Sequence, residues 1–403
     1  MMKKSVFFEL LLLTFLTVTI GCGNQTGERK GDAVGEIITG ADQTDEYVPY
    51  LKGRNVAMAI NNSSTIGNAL SLDSLLSLGV NVKKVFTPEH GLRGDNVYDS
   101  IDSRTGLPAV SLFRGKHKPT KEDLEGIDMV IFDKQDVGTR FYTYLATLHY
   151  VMEACAENNV EVIVLDRPNP NDSYVDGPVL EERFKSFVGL NPVPIVHGMT
   201  FGEYAGMLNG EGWLANGVQC KLKVVTLLNY KHGKPYILPV KPSPNLNTQQ
   251  SILLYPSLCW FEGTVISEGR GTCMPFQILG HPALKDKYDF NFTPVSIPAM
   301  STNPKHLGET CYGLDLRNYD TDRFRKTGKL NLDWLLELYN AYPDKENFFR
   351  QGTDGSYSFD RLVGNDQLRK QIIEGLTEKE IRNSWEPGLS EFKKIREKYL
   401  IYK

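Results

Sequence analysis

From Asn55 onward the chain alternates between continuous apolar runs and stretches whose apolar residues recur at helical spacing. Val56 to Ile60, Val82 to Phe86, Pro108 to Phe113, Asp128 to Phe132 and Val160 to Leu165 are short runs bounded by polar or turn-forming residues, and each predicts a buried strand. Between them, Ser71 to Leu78 sets Leu72, Leu75 and Leu76 on one face with Gly79 as a stop. Thr120 with Asp123 predicts a short capped helix. The segment after Tyr142 sets Leu145, Leu148, Met152 and Cys155 on one helical face. Strands that lack polar alternation are covered on both sides, so the pattern predicts an α/β fold with a mainly parallel sheet. Pro192 to His197 reads as a further strand, Thr200-Phe201-Gly202-Glu203 as the opening of a helix, and Lys221 to Leu227 as a valine-rich strand.

The pattern loosens around Gly210 to Gly217. A boundary there divides the globular part into residues 47–215 and a second domain, 216–403. Beyond Asp315 charged helices dominate: Leu332 to Ala341 is one, and Thr377 with Glu380 caps another. The last helix carries Leu389, Phe392, Ile395 and Tyr399 on a single face, which marks it as a packing element.

The first 22 residues belong to no domain. Lys3 and Lys4 precede an apolar core, Phe7 to Ile20, and then Ile20-Gly21-Cys22. This resembles a secretory signal with a lipoprotein cleavage site, in which Cys22 becomes the acylated first residue. A non-lipidated signal peptide or an uncleaved anchor shares the same apolar core. Residues 23–46 then read as a polar tether. The expected location is outside the cytoplasm, periplasmic or on the outer membrane, with membrane contact through the lipid alone. A net charge of −4 on 403 residues provides no general attraction for nucleic acid. The other cysteines, Cys155, Cys220, Cys259, Cys273 and Cys311, show no C-x-x-C spacing, so neither a zinc site nor any other metal site is expected.

Candidate chemistry gathers at the strand ends. The octet Thr87 to Gly94 places Glu89, His90 and Arg93 directly after a strand. Asn61, Asp133, Asp136, Asp166 and Arg167 also follow predicted strands. A parallel sheet brings such groups to one rim, where α/β proteins bind ligands; each residue taken singly is also an ordinary cap or turn former. No G-x-G-x-x-G or Walker A sequence is present, so no nicotinamide, flavin or ATP cofactor is expected. No G-x-S-x-G elbow is present either, which argues against a serine esterase or amidase. A second polar cluster comprises Pro242 to Thr248, with Asn245, and Glu262 to Thr272, where Glu262, Glu268 and Arg270 are spaced by glycines.

Several of these stretches together carry a resemblance: Phe86-Thr87-Pro88-Glu89-His90-Gly91, Asp136-Val137-Gly138-Thr139-Arg140-Phe141-Tyr142-Thr143-Tyr144, Leu165-Asp166-Arg167-Pro168-Asn169-Pro170, Asp176-Gly177-Pro178, Ile195-Val196-His197-Gly198-Met199-Thr200, Pro242-Ser243-Pro244-Asn245, Phe261-Glu262-Gly263 and Ser267 to Thr272. Along nearly all of its mature length the chain resembles the exo-acting β-N-acetylmuramidases of bacterial peptidoglycan recycling. Thr87 and Thr139 stand where alanine is common in that family. The resemblance implies a Rossmann-like amino-terminal domain, a smaller α/β carboxy-terminal domain and an active site in the cleft between them. It also implies release of N-acetylmuramic acid from the non-reducing end of peptidoglycan-derived saccharides or muropeptides.

Glycoside hydrolysis needs an acid for the leaving oxygen and a base or nucleophile opposite. Glu89 is the expected acid, with His90 orienting it. Glu268, Asp136 and Tyr142 are the candidates for the second group, beside the substrate's own acetamido oxygen. Selecting muramic acid over glucosamine calls for a cation against the lactyl carboxylate, and Arg140 and Arg270 are the candidates; for Arg140 an ion pair with Asp136 is the competing role. Asp166, Arg167, Asn169 and His197 either line the cleft or brace it, and Asn245 and Glu262 are expected at the substrate. A muropeptide-binding lipoprotein that captures without cutting is the alternative reading. The remaining histidines, His117 among them, belong to no recognisable constellation.

Overall fold

A computed structural model describes residues 35–89, 91–94, 100–113 and 115–403; Cys22 and His90 lie outside them. The five apolar runs form strands β1 (Val56–Ile60), β2 (Val82–Thr87), β3 (Ala109–Ser111), β4 (Met129–Asp133) and β5 (Glu161–Leu165), and the valine-rich run forms β6 (Leu222–Val225). All pair in parallel, in the order β6-β5-β4-β1-β2-β3. This is the strand order of a Rossmann sheet, with its switch point between β1 and β4.

Every residue of β1 and β4 is buried. The strand pleat sends alternate side chains to opposite faces. Val56, Met58, Met129 and Ile131 join one core with α1 (Thr44–Leu51) and α2 (Ser71–Ser77). Ala57, Ala59, Val130 and Phe132 join another with α3 (Tyr144–Glu157) and α4 (Phe201–Gly210). The absence of polar alternation in the sequence thus has its cause: both sheet faces are dry.

Packing moves several expected boundaries. The polar run through Glu46 is not a free tether to its end. Ile38 bridges to Leu228, and Gly40 N–H donates to Asp166 O at 2.9 Å. A side chain at Gly40 would put Cβ 2.4 Å from Val225 O, so the main chain itself lies against the sheet edge. Pro194–Val196 pairs antiparallel with Asp176–Val179 in a separate hairpin rather than joining the main sheet. The loosened stretch near 215 is the turn from α4 back to edge strand β6, so the sheet continues beyond the expected boundary.

After α5 (Gln249–Leu258) comes a small antiparallel sheet, β7 (Ile278–His281), β8 (Asn291–Phe292) and β9 (Cys311–Asp315), in the order β7-β9-β8. Helices α6 (Asp322–Thr327), α7 (Asp333–Ala341), α8 (Ser358–Val363), α9 (Gln367–Ile373) and α10 (Glu378–Glu397) complete the chain. Thr377 and Glu380 form the predicted capping box of α10. Its apolar face buries Ile381, Trp385, Leu389 and Phe392. This helix returns to the first half: Arg382 pairs with Asp176 at 2.7 Å, and Tyr402 beyond it donates to Asp166 at 2.7 Å. One hydrophobic core runs from Phe132 through Trp260 to Phe392.

Candidate active site

A cavity of about 300 Å³ opens beyond the carboxyl ends of the parallel strands, with walls from both halves of the chain. The first half contributes Glu89, Phe113, Phe187 and the run Phe141 to Tyr144; the second contributes Asn245, Tyr255, Glu262, Arg270 and Phe276. Glu89 follows β2 by two residues and is half-buried, with Thr143 Oγ1 3.5 Å from its carboxylate. Proline at 88 ends the strand by withholding a backbone donor, which turns Glu89 off the sheet into the cavity.

Arg270 sits between two left-handed glycines, Gly269 (φ 80°) and Gly271 (φ 79°). A Cβ at either would lie 2.7 Å from a backbone carbonyl, Met274 O or Val295 O, so only glycine permits this turn. Arg270 reaches Glu262 at 3.0 Å (Nε) and 2.5 Å (Nη2), and its Nε is 3.4 Å from Glu268. Glu268 in turn is 2.8 Å from Lys305 Nζ. Lys305 also donates to the carbonyls of Phe261, Thr264 and Ile266, which fixes it beneath the loop that carries Glu262. Burial opposes charge on Glu268, but Lys305 and Arg270 outweigh it and hold that carboxyl below its ordinary range.

Asn245 lines the cavity and is almost fully buried. Its amide nitrogen donates to Met300 O at 3.0 Å, and because a carbonyl only accepts, the orientation of the amide is set. Its Oδ1 is enclosed and makes no hydrogen bond among the described residues. Tyr142 presents its ring to the cavity and donates its hydroxyl proton to Pro242 O at 2.9 Å, holding the proline-rich loop in place. Burial pushes its phenol well above the ordinary value, so it stays protonated and does not serve as a base.

Other expected site residues are drawn into bracing networks away from the cavity. Arg140 is buried and donates to four main-chain carbonyls: Pro178 (3.0 Å), Val193 (2.8 Å), Leu362 (2.9 Å) and Val363 (2.5 Å). Neither expected role, a lactyl anchor or a partner for Asp136, fits this placement. Asp136 accepts from Gly138 N–H at 3.1 Å and lies 3.3 Å from His197 Nε2, outside hydrogen-bonding geometry. His197 Nδ1 accepts from Met199 N–H, which leaves the ring proton on Nε2, toward Asp136. Both side chains are wholly enclosed. Glu268 likewise points at Lys305 and does not line the cavity. Asp166 accepts from Thr200 Oγ1, Gly202 N–H and Tyr402. Arg167 grips Asp133 at 2.6 Å and Thr65 O at 2.6 Å, and Asn169 holds Met199 O at 2.9 Å. The crevice at the switch point is therefore closed by its own hydrogen bonds. The cavity is lined by residues that follow β2, β3 and β4, namely Glu89, Phe113 and Phe141 to Tyr144.

The sequence pattern did not single out Lys305 or Phe187, and it gave no role to Thr143, within the Asp136 to Tyr144 stretch, or to Phe113, at the end of a predicted strand. The fold alone brings Thr143, Phe113 and Phe187 to the cavity and Lys305 behind it.

Residues 56–250 match the family described as exo-β-N-acetylmuramidase NamZ, N-terminal, and residues 253–402 match its C-terminal counterpart. The junction falls at the start of α5, later than the expected residue 215. The chain is 38% identical to the peptidoglycan β-N-acetylmuramidase NamZ of Bacillus subtilis (strain 168), across 100% of both chains. Two crystal structures of DUF1343 family proteins from Bacteroides fragilis NCTC 9343 share the fold. One superposes with a TM-score of 0.85 at 44% identity, covering 92% of this chain and 99% of that one. The other gives 0.79 at 29% identity, covering 91% and 99%.

Proposed function

The chain belongs to the exo-β-N-acetylmuramidase NamZ family, and we propose that it hydrolyses the β-glycosidic bond of a non-reducing-end N-acetylmuramic acid in the cavity bounded by Glu89 and Arg270. The observation that carries this reading is one sugar-sized cavity holding a carboxyl group and a braced guanidinium.

Glu89 is the proton donor to the leaving oxygen. Arg270 takes the lactyl carboxylate. Its Nε and Nη2 are engaged by Glu262, and the pair Lys305–Glu268 holds it from behind. Asn245 stands at the wall against the acetamido group, whose oxygen serves as the nucleophile at the anomeric carbon. Of the side chains expected for that role, Tyr142 holds its proton, and Asp136 and Glu268 are enclosed away from the cavity. Glu262 remains at the wall, where it holds Arg270, and Glu89, left as a carboxylate by the first step, takes the proton of the attacking water in the second and is restored as the acid.

The test is release of free N-acetylmuramic acid from MurNAc-GlcNAc by the mature chain and by Glu89→Gln. Release by the parent alone supports the reading. Binding of the disaccharide with release by neither overturns it in favour of a protein that captures muropeptides. The amino-terminal segment extends the proposal to export and anchoring through an acylated Cys22. Incorporation of labelled palmitate that is lost in Cys22→Ser tests that part.

A further inference from the structure

The wall of the cavity beside Glu89 is aromatic. Phe187 and Phe113 both line it, with ring centroids 6.3 Å apart. One face of Phe187 is covered by His117, nearly parallel at 21° with centroids 3.9 Å apart. His117 in turn lies 6.5 Å from Tyr150 on α3, inclined by 17°. Three rings thus form a column that ends at the cavity, and His117 is anchored by Nδ1 at 3.3 Å from Leu112 O. Phe113, Phe187, His117 and Tyr150 all remain part-exposed. A ring column whose last member is left uncovered is built to be covered by something else.

Sheet register places this wall relative to the acid. Thr87 on β2 pairs with Ser111 on β3. Glu89 and Phe113 each follow their strand by two residues, so the carboxyl and the first ring leave the sheet side by side. The second half of the chain adds Arg270, Glu262 and Asn245, and with them the rings of Tyr255 and Phe276. Among the lining rings, Phe113 is set beside the proton donor by the register, and Phe187 is its neighbour at 6.3 Å. A proton donor must stand at the glycosidic oxygen, which the leaving sugar shares. The C–H face of a pyranose is apolar with positive edges, which suits the negative face of an aromatic ring.

We propose that Phe187, backed by His117 and flanked by Phe113, is the stacking platform for the leaving sugar, an uncharged 2-acetamido pyranose. This rests on the muramidase reading of the same cavity and adds to it a site for the aglycone.

The experiment compares two substrates of the mature chain. MurNAc-GlcNAc has a leaving pyranose, whereas N-acetylmuramyl β-fluoride has none. Phe187→Leu keeps the apolar volume and removes the ring face, and Phe187→Trp restores one. Expected is a loss in kcat/KM of roughly threefold to tenfold for Phe187→Leu on the disaccharide, with recovery in Phe187→Trp and fluoride hydrolysis within twofold of the parent. An equal loss on both substrates overturns the proposal, because it places the ring against the muramyl residue or in the scaffold. No loss on either overturns it as well. If the parent cleaves neither substrate, the muramidase reading fails separately. Calorimetric binding of GlcNAc then decides the platform: weakening in Phe187→Leu upholds it, and no binding, or unchanged binding, refutes it. Phe113→Leu run in parallel gives the same comparison should Phe187→Leu not fold.

Discussion

Lys305 Nζ lies 2.8 Å from Glu268, inside a chain of alternating charge that continues through Arg270 to Glu262 at the cavity wall. Two cations and two anions make the cluster neutral, and Lys305 is the member farthest from the ligand. Replacing it with Met leaves Glu268 to compete for Arg270 and turns the cluster net negative. Removing one partner of a buried pair costs about 3–5 kcal/mol, so Lys305→Met should melt markedly earlier. In the fraction that folds, KM for muramyl substrates should rise with little change in kcat. Lys305→Arg should restore part of both. A loss in kcat alone would remove Lys305 from substrate binding.

Glu89→Gln keeps shape and removes the proton. The expected loss in kcat is about 10²- to 10⁴-fold, the usual range for a general acid. Binding of the disaccharide, measured by calorimetry, should stay within a few-fold. Near-parental turnover would move the acid role elsewhere.

Arg270 and Arg140 should behave differently, although both were candidates for the lactyl carboxylate. Arg270→Met should reduce kcat/KM on muramyl substrates far more than on glucosaminyl ones, since only the former carry the carboxylate. Arg140→Met takes the guanidinium donor from four main-chain carbonyls, of which Val193 O keeps the Leu180 N–H. It should lower the melting temperature and affect both substrates alike. The ratio of the two activities separates specificity from scaffolding.

His232 lies 2.8 Å from both Asp172 and Glu203. Glu203 also accepts from the backbone N–H of Ile401, so the imidazole joins the carboxy terminus to α4. Burial opposes its charge, but hydrogen bonds to the two carboxylates raise it to about 9. A raised value means that the folded state holds the proton more tightly than the unfolded chain. The stabilisation is therefore complete below the unfolded value of about 6.5 and is lost as pH rises through 9. Its size is about 3 kcal/mol. Melting temperature should fall between pH 6.5 and 9 in the parent and much less in His232→Gln. An equal fall in both would assign the pH dependence to other groups.

Asn245→Asp replaces the side-chain nitrogen that donates to Met300 O with an oxygen that cannot. Asn245→Ala removes the unpaired acceptor as well. If the acetamido oxygen is the nucleophile, Asn245→Ala should lose kcat on N-acetylated substrates. A thioacetamido analogue should then be processed slowly by the parent, measured as the ratio of the two rates.

Local patterning was enough to locate the six parallel strands and the covering helices α2, α3 and the start of α4, whereas α1, whose first residues fall in the expected tether, was not read. A strand buried on both faces must be apolar at every position, and a helix on a sheet must be apolar at a 3.6-residue period. Capping boxes at Thr200, Thr248 and Thr377 are local too, since each needs only residues three apart; the first and last were legible in the sequence and Thr248 was not singled out. The placement of Glu89 and the glycine-flanked Arg270 at a cavity also followed from short range: a strand end and a turn that only glycine can make.

What the sequence could not distinguish was which polar residues face the cavity and which are spent on the scaffold. Arg140 and Arg270 look alike in the chain. Arg140 is satisfied by carbonyls from Leu362 and Val363, more than two hundred residues away, whereas Arg270 finds its carboxylate partner eight residues before it. Lys305, Phe187 and His117 carried no signal at all, because their partners are set by how two halves of the chain pack. Hydrophobic burial is nearly pairwise-blind and periodic, so sequence encodes it openly. Hydrogen bonds and ion pairs depend on one distance and one angle between specific atoms, and only the assembled tertiary structure supplies those.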